Sequence, residues 1–107
     1  MYNQGWSDHP RGVHVKPLTP DGSDVTIFYN GLLHRSGASQ VYLHAGFGDP
    51  MHWSIVEDYR MQHTPEGWKK TLNMEDSKLS FCFRDTSENW DNNNGHNWSY
   101  EVFSGVI

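Results

Sequence analysis

The sequence predicts an all-β chain folded as a single antiparallel β-sandwich, on three observations. Apolar residues alternate with period two through several short windows, turn-forming residues separate those windows, and no stretch carries an apolar stripe at helical spacing. A length of 107 residues suffices for one hydrophobic core and not for a catalytic domain with an accessory one. Only 36% of the residues are hydrophobic, but five each of Trp, Tyr and Phe supply large rings, which bury enough apolar area to order the chain.

Taken in order, residues 1–23 are rich in Gly, Pro and Asp (HPRGVHVKPLTPDGSD) and read as an irregular N-terminal arm interrupted by one short strand at Val13 to Val15. The sandwich domain is therefore drawn over residues 24–107. DVTIFYNG places Val25, Ile27 and Tyr29 on one face and ends at the Asn30-Gly31 turn signal. SQVYLHAGFG turns Val41, Leu43 and Ala45 inward, so Gln40, Tyr42 and His44 point the other way. MHWSIVEDYRMQHT reads as one bent strand or two strands meeting near Glu57-Asp58, and PEGWKKTLNM as an edge-type strand alternating through Trp68, Lys70 and Leu72. KLSFCFRD is the plainest strand, with Leu79, Phe81 and Phe83 on its buried face, and WSYEVFSGVI closes the sheet. Six or seven strands are expected, with Trp6, Met61 and Trp68 assigned to packing.

Charge narrows the function. The formal net charge is -5 and the 8 Lys and Arg are scattered, so no basic stripe exists to neutralise phosphates and nucleic acid is not an expected partner. Cys82 is the single cysteine, which excludes an internal disulfide and a cysteine-rich metal cluster. His9, His14, His34, His52, His63 and His96 show no paired ligand spacing, so no metal and no cofactor are expected. Nor do the carboxylates single out a glycosidase pair, and no catalytic residue is assigned. MYNQGWSDHPRG holds no apolar run, so neither a signal peptide, a membrane span nor a membrane partner is read there. As a full gene product the chain is expected in the cytoplasm, and as a fragment of a secreted enzyme, outside the cell.

NWDNNNGHNW, residues 89–98, is the least ordinary stretch. Its plain reading is a self-bonded turn, since Asn tolerates left-handed backbone and Gly95 supplies positive φ. A calcium loop fits poorly: counting from Asp91, Gly95 falls at position five and Glu101 at eleven, each one short of the EF-hand register. A third reading is a sugar site, in which an aromatic face stacks on the C–H face of a neutral ring while amides bond its hydroxyls. Trp90 lies within the polar run and is the candidate ring; Trp98 opens the next strand and is either core or platform.

The ordered series VTIFYNG, VYLHAGFG, Trp53, Met61, the Gly67-Trp68 pair, LSFCFRD and NWDNNNGHNW resembles the starch-binding carbohydrate-binding modules of families 25 and 53, over about residues 24 to 103. The resemblance implies an immunoglobulin-like sandwich that binds α-1,4-glucan, whether starch, glycogen or maltooligosaccharide, without catalysis. It implies two rings, Trp53 and Trp90, stacked on successive glucose units beside the strand histidine His44, with Asn93 and Asn94 near the hydroxyls. It also makes a carbohydrate-active enzyme a candidate partner. The alternative is a protein-interaction sandwich that docks a glycan-metabolising enzyme through the same exposed rings.

Overall fold

The computed structural model describes residues 5–48 and 54–102. Ten strands, one short α-helix and a 3-10 turn at His9–Arg11 are found among them: β1 (Trp6–Asp8), β2 (Val13–Pro17), β3 (Asp24–Tyr29), α1 (Leu32–Arg35), β4 (Val41–Phe47), β5 (Ser54–Arg60), β6 (Gln62–Thr64), β7 (Gly67–Asn73), β8 (Lys78–Asp85), β9 (Trp90–Asp91) and β10 (Trp98–Glu101). They form two antiparallel sheets packed as a sandwich. The first has the order β1-β2-β3-β7-β6, and the second β10-β8-β4-β5 with β9 also on β8.

Alternation dictates the core. Val25, Ile27 and Tyr29 of β3 face Val41, Leu43 and Ala45 of β4 and Leu79, Phe81 and Phe83 of β8, all buried as their period-two spacing requires. Rings fill the middle: Tyr29 stacks on Phe83 at 3.9 Å between centroids, and Phe83 meets Trp98 at 5.4 Å. Trp98 is thereby placed in the core, its indole N–H donating to Asp8 Oδ2 at 3.1 Å.

Three expectations change. Residues before Asp24 are not an irregular arm, because β2 pairs along β3 from Val13↔Tyr29 to Pro17↔Val25 and β1 pairs with β2. Val13 and Val15 join the core, and the Trp6 indole N–H reaches across to donate to the Ser99 carbonyl at 3.0 Å, tying β1 to β10. Of the Pro and Gly residues that suggested irregular chain, Pro10, Gly12, Pro20 and Gly22 lie in the connections flanking these short strands, and Pro17 closes β2. The segment after Trp53 is two strands, but the break falls at buried Met61, where the chain crosses from the second sheet to the first, and not at Glu57-Asp58. β7 is an inner strand, paired with β3 along its length and with β6 over Gly67–Lys69.

The asparagine run has a specific place in this topology. β9 and β10 lie on the same edge of β8: Asp91 pairs with Phe83 and Trp98 with Phe81. Residues 92–97 therefore loop out of one interrupted strand opposite the single residue Cys82. Such an excursion needs tight reversals, and Asn93, Asn94 and Asn97 take φ of 56°, 55° and 59°, with Gly95 at 90°.

If β2 belongs to the cooperative fold, Val13→Ala should cost about 1.5 to 3 kcal/mol in urea unfolding, from two lost methyl groups and the cavity they leave. An unchanged midpoint would mean that β2 frays independently of the sandwich.

Candidate functional site

Cross-strand register assembles a polar cluster on the outer face of the second sheet. His44 pairs with Asp58 on one side and Cys82 on the other, while Tyr42 pairs with Arg60 and Arg84, and Arg84 with Trp90. His44 Nδ1 lies 2.7 Å from Asp58 Oδ1, and the Arg84 guanidinium donates to Asp58 Oδ2 at 3.0 Å. The same guanidinium covers the Tyr42 ring at 4.7 Å. Burial acts to raise the Asp58 pKa, but the hydrogen bonds from Arg84 and His44 outweigh it and hold the carboxyl below its ordinary range. An ionised Asp58 only accepts hydrogen bonds, so Nδ1 of His44 carries the proton and the ring is held in one orientation.

Trp90 stands at the rim of this cluster, 46% exposed, with its ring 5.2 Å from that of His44 and perpendicular to it at 88°. The outward pose follows from the next residue. Asp91 points inward, is 7% exposed, and accepts a 2.5 Å hydrogen bond from the Tyr29 hydroxyl, which itself accepts from the Leu33 N–H of α1 at 3.0 Å. Burial, and then the neighbouring carboxylate, raise the Tyr29 phenol far above its ordinary pKa, so it stays protonated and donates. Successive side chains in a strand point to opposite faces, so an inward Asp91 sends Trp90 outward.

Beyond Asp91 the loop is bonded to itself. The Asn97 N–H donates to the Asn92 carbonyl at 2.8 Å, the Gly95 N–H to the Asn92 side-chain oxygen at 3.0 Å, and the Asn93 amide to the Asn97 carbonyl at 2.9 Å. Asn93 thus shapes the turn with its amide, while Asn94 is exposed on it. Trp53, the other expected ring, lies outside the described residues.

Of the residues singled out by sequence, His44 and Trp90 come together and the asparagines sit in the adjoining loop. Sequence reasoning missed Asp58, Arg84, Tyr42 and the Tyr29–Asp91 pair. Alternation puts Tyr42 opposite Leu43 and Arg84 opposite Phe83, on outer faces, but only the register of β4 against β5 and β8 brings them beside His44. Cys82, behind this cluster, has its thiol pushed up to about 12, first by burial and then by Asp58 and Asp91, and so is no nucleophile. No group of three or more metal-ligating side chains suited to an ion occurs among the described residues, and no helix there is long and apolar enough to cross a membrane.

Residues 25–81 match the model of a starch/carbohydrate-binding module, family 53. The chain belongs to that family. This starch-binding module is also similar to an alpha-amylase of Clostridium acetobutylicum, at 39% identity over 88 residues. That match covers 79% of the chain and 11% of the amylase, so the chain spans about a ninth of the relative's length. No solved structure matches.

Two consequences are measurable. Tyr29→Phe removes the donor to buried Asp91 and should cost about 1 to 3 kcal/mol in urea unfolding, with broadening of the Trp90 indole signal as its strand loosens. Because the native Asp58 pKa is depressed, its contribution to stability is present above the unfolded value of about 3.9 and is lost as pH falls through the lower folded value. The stability gap between wild type and Asp58→Asn should thus be widest above about pH 5 and close on acidification; a gap independent of pH would refute the pairing.

Proposed function

We propose that the outer face of the second sheet binds α-1,4-glucan, with the Trp90 ring stacked on one glucose unit and His44 bonding its hydroxyls. The observation that carries this reading is a half-exposed indole held edge-on to an imidazole whose own orientation is fixed by Asp58 and Arg84. A flat ring beside a fixed polar group suits the apolar C–H face and equatorial hydroxyls of a neutral sugar. Trp53 is proposed as the second ring, Asn94 as a further hydroxyl contact, and Asn93 as a contact through the side-chain oxygen left after its amide serves the turn.

The face is a binding surface and not a catalytic one. The carboxylate nearest the ring pair, Asp58, is engaged by two cations or donors and held ionised, the opposite of the raised pKa that a general acid needs. The similarity to a segment of an alpha-amylase supports a role as the glucan-holding part of a larger carbohydrate-active enzyme, and with it an extracellular setting for that enzyme.

Affinity should be modest and nearly independent of salt, since stacking adds only about 0.5 to 1.5 kcal/mol per ring beyond area burial and no charge is recognised. Trp90→Ala should weaken maltoheptaose binding about tenfold or more and abolish retention on starch, with the unfolding midpoint unchanged; Trp53→Ala should do the same. If both variants are retained like wild type, the site is misassigned. If wild type ignores soluble maltoheptaose, the exposed Trp90 ring serves a protein partner instead.

A further inference from the structure

An asparagine followed by glycine forms turns readily and is also chemically labile, because glycine has no side chain to keep its backbone nitrogen away from the preceding side-chain amide. The chain holds this pair twice, at Asn30-Gly31 and Asn94-Gly95. The fold treats the two differently. Gly31 is buried at the start of α1, where a Cβ would run into the Arg11 carbonyl oxygen, and the Asn30 side chain lies between Gly12 and Gly67, filling the space that a Cβ on either would need. Asn94 and Gly95 are both exposed, and a Cβ on Gly95 would meet nothing within 4 Å.

Within the run the amides are unequally held. The Asn93 amide donates to the Asn97 carbonyl at 2.9 Å, whereas the Asn94 amide has no partner among the described residues. What restrains the pair is the Gly95 N–H, shared between the Asn92 side-chain oxygen at 3.0 Å and the Asn92 carbonyl at 3.1 Å. To attack the Asn94 amide carbon this nitrogen must lose its proton and turn toward Cγ, so both bonds to Asn92 oppose the reaction. They belong to an exposed turn in left-handed backbone, with φ of 55° at Asn94, and such a turn opens at far less cost than the whole fold.

We propose that Asn94 is a modification site, at which the side-chain amide is lost without an enzyme at a rate set by Asn92. In the opened turn the Gly95 nitrogen gives its proton to hydroxide and bonds to Asn94 Cγ. The bond from Cγ to the side-chain nitrogen breaks, and that nitrogen takes a proton from water and leaves as ammonia. Water then opens the five-membered succinimide. Cleavage between Cγ and the Gly95 nitrogen leaves an aspartyl carboxylate on an unchanged main chain; cleavage between the main-chain carbonyl carbon and that nitrogen leaves an isoaspartyl link, with the chain rerouted through Cγ and one carbon longer. Either product replaces a group that donates and accepts with one that only accepts, and the second also lengthens an excursion that must return to β8 at Trp98. That the change lowers glucan affinity rests on the function proposed above; the modification itself does not.

The test is to age the full chain at mildly alkaline pH, with and without urea, and to follow conversion of each asparagine by peptide mapping and mass spectrometry. In the folded chain Asn94 should convert first, partly to isoaspartyl, while Asn30 stays intact; in urea the two should convert at similar rates. Asn92→Ala should speed conversion of Asn94 in the folded chain about fivefold, as expected for one hydrogen bond removed from the barrier, and leave Asn30 unmoved. Asn92→Asp, which keeps the acceptor, should hold the wild-type rate. Survival of Asn94 in the folded chain through an incubation that converts it in urea would overturn the proposal, as would equal loss of Asn30 without urea. A rate indifferent to Asn92→Ala, or a parallel rise at Asn30, would overturn the role of Asn92. Fresh and aged protein are then titrated with maltoheptaose, and weaker binding by the aged protein is expected. Aged protein that binds like fresh overturns only the link to affinity, and fresh protein that ignores the sugar overturns the glucan reading while the modification site stands.

Discussion

The hydrogen bond from Tyr29 to Asp91 joins the two sheets where it matters most. Tyr29 belongs to the first sheet; Phe83, on which it stacks, and Asp91, to which it donates, belong to the second. A buried carboxylate is tolerated only with partners, and the tyrosine supplies one while its own oxygen is satisfied by the Leu33 N–H. Once Asp91 is committed inward, the pleat leaves its neighbour no freedom. Trp90 is presented to solvent as a geometric consequence of a core interaction, without any separate device to hold it there. An exposed indole is ordinarily a liability, and here its exposure is enforced from beneath.

The outer face beside Trp90 is polar without being charged in effect. His44, Asp58 and Arg84 satisfy one another in a row across β4, β5 and β8, and Arg84 spreads over Tyr42. A ligand approaching this surface meets fixed donors and acceptors whose charges are already compensated nearby. That suits a neutral, heavily hydroxylated molecule better than an ion, for which the compensating partner would be a competitor.

Much of this was legible in the chain. The alternation in DVTIFY, VYLHAGF and KLSFCFRD fixes which side chains are inside, because period two leaves one choice of face for each strand. The outward pose of His44 follows from the same rule, whereas that of Trp90 rests on Asp91 turning inward to Tyr29, a long-range pairing that no local pattern marks. β1 and β2 were obscured because both are short and bordered by proline- and glycine-bearing connections, and their stabilisation comes from partners outside those segments: β3 for β2, and β10, far along the sequence, for β1. Asp58 and Arg84 were unreadable for a related reason. Nothing local marks either residue, and their meeting at His44 depends on register across three strands.

The asparagine run shows how a plain reading and a functional one can both apply. Its residues were expected to bond their own backbone, and they do, in left-handed conformations that cost a non-glycine side chain roughly 1 to 2 kcal/mol each in the absence of compensation. Asn is the residue that lowers that cost by hydrogen-bonding locally, so a loop that reverses within residues 92–97 and returns to the same edge of β8 calls for amides rather than for carboxylates or lysines. Restoring the strand at Trp98 matters as much as leaving it at Asp91, since Trp98 fills the core between Phe81 and Phe83. The two tryptophans that flank the run therefore have opposite fates from one cause. Both are placed by β8, one on each side of an excursion that begins beside an inward aspartate, so Trp98 is drawn into the core and Trp90 is turned out of it.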